Sequence, residues 1–225
     1  MPIKAVLFDL DNTLIDFLKM KKSASRSAIS AMIKAGLDVN KRVAWNTLIS
    51  LFQEYGIENQ QIFNEFLKKL TGKVDVRILA AGVVAYRKSK ELSLQPYPNV
   101  IPTLKKLKKR GYKLGIVTDA PKFQAWTRLY QLRLEKYFDL VITFEDTGKK
   151  KPSQLPFKTA IRKLRMKPEE IMMVGDSIKR DVEGARKLGM KTVFAEYGKV
   201  WKEKGRPDFV INDFSEILDY LNTKV

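Results

Sequence analysis

Hydrophobic and polar positions alternate in two different rhythms along this chain. Ile3 to Phe8 is an apolar run broken only by Lys4, and its β-forming residues predict a short buried strand. From about residue 16 to 92 the strand signal stops. Ala44, Leu48, Leu51, Phe52 and Tyr55 recur at helical spacing, as do Ile62, Phe63, Phe66, Leu67 and Leu70, and then Val76, Leu79, Val83 and Tyr86. Each set paints one apolar face on a helix. Gly36, Gly56 and Gly72 are the expected stops, because glycine enters the left-handed conformation that closes a helix without steric cost. Four helices packed as a compact bundle follow from this pattern.

Gln95-Pro96-Tyr97-Pro98-Asn99 ends the helical stretch, since each proline also restricts the residue before it. Beyond it, strand and helix alternate. Strands are expected at Lys113–Val117, Asp139–Ile142, Ile171–Val174, Lys191–Phe194 and Asp208–Ile211. Helical period runs through Val100, Leu104 and Leu107 up to Gly111, then over Trp126–Leu134, Pro156–Leu164 and Ser215–Leu221. With the first strand there are six. Such alternation predicts an α/β fold, Rossmann-like and doubly wound, with a mostly parallel sheet and right-handed crossovers. Residues 1–15 and 96–225 are expected to form this core, and residues 16–95 a helical insert.

The chain has 225 residues, 44% hydrophobic and 30% charged, which is ordinary for a soluble protein. No stretch approaches the about 20 apolar residues of a membrane span, and Met1-Pro2-Ile3 leads into a strand rather than a signal peptide. A cytoplasmic location is expected. Cysteine and histidine are both absent, which excludes disulfides, thiolate metal sites, cysteine or histidine nucleophiles and every Ser-His triad. The remaining chemistry uses carboxylates, lysine and hydroxyls, and it favours a hard, oxygen-liganded ion such as Mg²⁺.

Lysine and arginine number 43 against 25 acids, a net charge of +18. Basic runs at Lys105–Arg110 and Lys149–Lys151 stand out. They read as solvated faces that also draw anionic small molecules inward. Binding of nucleic acid on this scaffold is the alternative from a different class, but no groove-reading helix-turn-helix, zinc finger or RNP-type aromatic pattern accompanies the charge.

Three apolar strands end alike, in Phe8-Asp9, Val117-Thr118-Asp119 and Val174-Gly175-Asp176, and the first continues to Asp11. In a parallel sheet these ends share one edge, where open α/β sheets bind their ligands. Paired acids there need a cation, a proton or a cationic side chain. Asp176 and Asp181, together with Asp9, supply oxygens for Mg²⁺ if a helical turn brings Asp181 back toward the strand end. Lys151, which precedes Pro152 in the loop after an expected strand, is the lysine best placed to neutralise a carboxylate and a phosphoryl group together.

These residues resemble the motifs of the haloacid dehalogenase-like (HAD) hydrolases. Asp9-Leu10-Asp11-Asn12-Thr13 is similar to the family's first motif, Thr118 to the second, Lys151-Pro152 to the third and Gly175-Asp176 through Asp181 to the fourth. The order and spacing also match, and the helical insert resembles a C1-type cap. The resemblance implies that Asp9 is the nucleophile, forming an aspartyl-phosphate, and that Asp11 is the proton carrier. It further implies that Thr118 and Lys151 hold phosphate oxygens, and that Asp9, the Asp11 backbone carbonyl, Asp176 and Asp181 surround Mg²⁺. A second acid at Asp11 points to phosphoesters rather than haloacids.

The implied activity is hydrolysis of a small phosphorylated metabolite. Archaeal members acting on phosphosugars, glyceraldehyde 3-phosphate among them, are the ones the chain looks most like. A sugar phosphomutase of the same fold is the alternative within the family. Phe17, Lys21, Tyr86 and Arg87 are candidate substrate contacts of the cap. No membrane partner is expected, and the chain is expected to act as a monomer or homodimer. Asp119 is expected to be a structural cap.

Overall fold

The structure, a computed structural model, describes residues 2–222; residue 1 and residues 223–225, the extreme ends of the expected core segments, lie outside the described residues. The strands are β1 (Ala5–Phe8), β2 (Lys113–Val117), β3 (Leu140–Ile142), β4 (Ile171–Gly175), β5 (Lys191–Ala195) and β6 (Phe209–Ile211). They form one sheet in the order β3-β2-β1-β4-β5-β6, and all five pairings are parallel. The strand order reverses on either side of β1. That reversal opens a crevice at the carboxyl ends of β1 and its neighbours.

The helices are α1 (Phe17–Lys34), α2 (Lys41–Tyr55), α3 (Ile62–Thr71), α4 (Val76–Ser93), α5 (Val100–Lys109), α6 (Lys122–Gln131), α7 (Gln154–Leu164), α8 (Glu183–Arg186) and α9 (Ile217–Asn222). The chain divides into two compact units, Met1–Phe17 with Gln95–Val225, and Leu18–Leu94.

In the sheet unit, successive residues of β1 serve opposite faces. Leu7 packs with Phe157 and Ala160 of α7 and Ala185 of α8, while the Phe8 ring meets Phe138 and Phe214. All four residues of β1 are fully buried, as a strand covered on both sides must be. Where the chain leaves and re-enters this unit, Ile15 bridges Pro96 and Asp16 N–H donates to Gln95 O.

The helical unit has its own core, built from Met32, Leu48, Leu51, Phe63, Phe66, Leu67 and their neighbours. Gly36, Gly56 and Gly72 all take positive φ after their helices, so the expected stops fall where predicted. Most boundaries shift by one or two residues, and one helix shifts further. The helix expected over Trp126–Leu134 runs instead from Lys122 to Gln131; Pro121 stands at its N-cap and Arg133, at φ 55°, turns the chain away. Apolar spacing marks the face a helix buries, whereas turn residues decide where it ends. No helix among the described residues is long and apolar enough to cross a membrane.

Candidate active site

Parallel register brings the chemistry together. Phe8 is level with Ile116 and with Val174, so Asp9, Thr118 and Asp176 emerge just past the same edge of the sheet. Asp9 is 3% exposed, Thr118 4% and Asp176 3%. Their buried acids demand compensation.

Lys151 supplies part of it. Its Nζ lies 2.9 Å from Asp9 Oδ1 and 2.6 Å from Asp181 Oδ1, and donates to Val117 O at 2.9 Å. Burial works against the lysine's charge, but Asp181 and then Asp9 override it and hold its pKa above the ordinary lysine value. Lys149 and Lys150, by contrast, are exposed. Asp119 secures Lys151 from behind: its Oδ1 accepts the Lys151 backbone N–H at 2.8 Å, and its Oδ2 stands 3.6 Å from Arg180. Asp119 therefore ties two neighbouring loops together, which is more than the cap expected of it.

Asp181 returns to the strand end by a turn wider than an α-helical one. Residues Ile178–Val182 wind as a π-helical turn, in which Val182 N–H reaches Ser177 O, before α8 begins. Both Asp181 oxygens are engaged, Oδ1 by Lys151 and Oδ2 by the Ser177 N–H at 3.1 Å. The approach depends on Gly175, where an added Cβ would lie 2.3 Å from Asp181 Cγ.

Asp176 is different. Neither of its oxygens has a hydrogen-bond partner among the described residues, and the guanidinium of Arg180 stands 3.8 Å away. Burial first, then the charges of Asp9 and Asp181, push its pKa up to about 9. Asp9, Asp176 and Asp181 present oxygens that all lie within 4.8 Å of one another. Four acids, Asp9, Asp119, Asp176 and Asp181, thus face two cations, Lys151 and Arg180. With all four ionised, as metal ligands must be, the shortfall is the charge of one divalent ion. Buried oxygens, an unfilled acceptor and a two-charge deficit fit a hard divalent cation.

Asp11 stands apart from this cluster. Asn12 takes a left-handed conformation, φ 62°, and its N–H returns to Ile15 O, which asparagine tolerates better than most residues. Just before that turn the Asp11 Oδ2 accepts a 2.6 Å charged hydrogen bond from Arg128, itself 2% exposed. Arg128 and Arg180 were not singled out in the sequence. Arg180 precedes Asp181 directly; Arg128 occupies an inward position between Ala125 and Leu129, a place the helical pattern reserves for apolar residues.

The candidate substrate contacts separate. Lys21, 8% exposed, lies over the rings of Phe52 and Tyr86 within the helical unit, and Arg87 is exposed there. Phe17 is buried in the sheet unit beneath the Arg128 guanidinium.

A family model described as haloacid dehalogenase-like hydrolase matches residues 6–195. The chain belongs to that family. Within it, this hydrolase is 38% identical over 223 residues to the glyceraldehyde 3-phosphate phosphatase of Pyrococcus furiosus, covering 97% of this chain and 93% of the relative. It is 39% identical over 224 residues to the protein of the same name from Methanopyrus kandleri, covering 96% of each. The crystal structure of a HAD phosphatase from Thermococcus onnurineus superimposes with a TM-score of 0.74 at 30% identity, over 98% of both chains. The HAD hydrolases named here are phosphatases.

Proposed function

We propose that this chain is a Mg²⁺-dependent phosphatase of small phosphorylated metabolites, working through an aspartyl-phosphate on Asp9. The observation that carries this reading is Asp9 pinned by Lys151 within an acid cluster two charges short of neutrality. A carboxylate buried beside a fixed ammonium is oriented for attack, and the pair can accept a phosphoryl group without moving.

Asp9 Oδ1 accepts from Leu10 N–H at 2.8 Å and faces Lys151, so we assign the attack on phosphorus to Oδ2. The bond from phosphorus to the leaving oxygen breaks, and Asp11 delivers a proton to that oxygen. Water then attacks the aspartyl-phosphate, gives its proton to Asp11, and returns the electron pair to Asp9. The Thr118 hydroxyl and Lys151 Nζ hold the phosphoryl oxygens throughout. Asp9, Asp176 and the Asp11 backbone carbonyl would hold Mg²⁺, with Asp181 supporting them through Lys151. Bound there, the ion offsets the charge of the transferring phosphoryl group.

Residues 16–95, the helical insert, are proposed as the cap that selects the substrate, with Lys21, Tyr86 and Arg87 as the positions to vary there. The names of the two archaeal relatives support a phosphosugar such as glyceraldehyde 3-phosphate as substrate. A test follows directly. Phosphate release from 4-nitrophenyl phosphate should require Mg²⁺ and fall by at least about 10⁴-fold in Asp9→Asn, the scale on which loss of a nucleophile is felt. Undiminished turnover in that variant would end the proposal. Phosphate returned to a sugar rather than to water would move the assignment to a phosphomutase.

A further inference from the structure

Arg128 is nearly sealed from solvent, at 2% exposure, although arginine is among the residues least often buried. It sits on the inward face of α6, among Ala125 and Leu129, where a leucine would satisfy the packing. A buried guanidinium is costly unless it is paired with good geometry. One partner is Asp11, which the proposed phosphatase reading makes the proton carrier, and the contact is 2.6 Å from Nη1 to Oδ2. The guanidinium carbon also lies 4.5 Å from the centre of the Phe17 ring, a cation–π contact that adds to its hold.

We propose that Arg128 is the positioning residue of Asp11. A charged N–H held by Oδ2 at this distance restricts the Asp11 side chain to one rotamer. Arg128 thereby fixes the rotamer of Asp11 and with it the direction in which the carboxyl meets the leaving group and the water. Arginine suits this role, because its charge is permanent and its donors are rigidly directed. Phe17, a candidate substrate contact, also supports the arginine. The inference rests on the phosphatase reading and on Asp11 as its proton carrier.

The experiment compares kcat/KM for an alkyl phosphate and for 4-nitrophenyl phosphate in wild type, Arg128→Met, Arg128→Lys, Asp11→Asn and the double variant R128M/D11N. This ratio reports the step in which the leaving group departs, and only the alkyl alkoxide needs a proton. The expected result is a loss of about 100-fold on the alkyl ester and less than about 5-fold on the aryl ester, in both Arg128→Met and Asp11→Asn. Arg128→Lys should recover part of the alkyl activity. The double variant should match Asp11→Asn within about 2-fold, since two residues acting as one unit are not additive.

Equal losses on both esters in Arg128→Met, or a double variant that loses the product of the two single effects, would overturn the proposal. If Arg128→Met does not accumulate as folded protein, Arg128→Lys, which keeps the charge and the stem, carries the same comparison. An Asp11→Asn variant without leaving-group dependence removes Asp11 as proton carrier and Arg128 with it. Absence of any Asp9-dependent turnover in wild type identifies failure of the phosphatase reading itself.

Discussion

At the scale of single residues the site is a problem in burying charge. Asp176 has the least company, and its pKa is pushed to about 9 by burial, then by Asp9 and Asp181. Asp181, fully buried, is pushed up by the same desolvation to about 6, with the Lys151 charge opposing the rise. Both lie above the ordinary carboxylate value of about 4, so the folded, metal-free protein holds their protons more tightly than the unfolded chain does. Their contribution to stability is fully present below pH about 4 and is lost as pH rises toward 9 for Asp176 and toward 6 for Asp181. A divalent ion reverses that trend, because its ligands must be ionised. Thermal melts in chelator should therefore fall in Tm as pH is raised from about 5 to about 9, and added Mg²⁺ should raise Tm by more at the alkaline end. A Mg²⁺ increment that is the same at every pH would contradict this account of the cluster.

At the scale of elements, the site depends on how closely the end of β4 is approached. Gly175→Ala would place a methyl group 2.3 Å from Asp181 Cγ, and the carboxylate would have to leave Lys151 or the strand would have to bend. We expect a loss of about 1–3 kcal/mol in stability, typical of overpacking, together with a fall in turnover of at least about 10-fold as Lys151 is released. Chemical denaturation and steady-state assays measure the two separately, and native activity in a destabilised variant would count against the coupling.

The same element shows what sequence could and could not convey. The strand ends carrying Asp9, Thr118 and Asp176 were legible because a period-2 or continuous apolar run followed by a polar residue has a simple geometric meaning in a parallel sheet. The π-turn that returns Asp181 was not, since it arises from contacts with Lys151 and Ser177 rather than from local propensity. Arg128 was hidden for the opposite reason. Its helix position predicts an apolar side chain, and the partner that justifies a cation there lies 117 residues away. The contact between Phe17 and the Arg128 guanidinium was likewise invisible in the sequence, because it joins residues far apart in the chain.

At the scale of the whole molecule, the excess of 43 basic residues over 25 acids is spread over solvated faces. On α5 the buried positions are Val100, Thr103, Leu104 and Leu107, while Lys105, Lys106 and Lys109 are exposed and Lys108 pairs with Asp139 at 3.0 Å. A field of this sign raises the encounter rate of phosphorylated anions and is screened by salt. Raising ionic strength from about 10 mM to about 200 mM should lower kcat/KM for a dianionic ester several-fold while leaving kcat nearly unchanged. Equal effects on both parameters would locate the salt dependence in the chemistry instead of in encounter.

The unmatched pair of charges among Asp9, Asp119, Asp176, Asp181, Lys151 and Arg180 also imposes a rule of valence. A potassium ion entering the cluster balances only one of the two charges, so one acid must stay protonated and is lost as a ligand, and a lanthanide leaves one positive charge over. Electroneutrality thus sorts ions before size or ligand geometry is consulted. Potassium is therefore a poor competitor for the proposed cation, and a trivalent ion would hold the anionic ester in place while weakening the release of its phosphate.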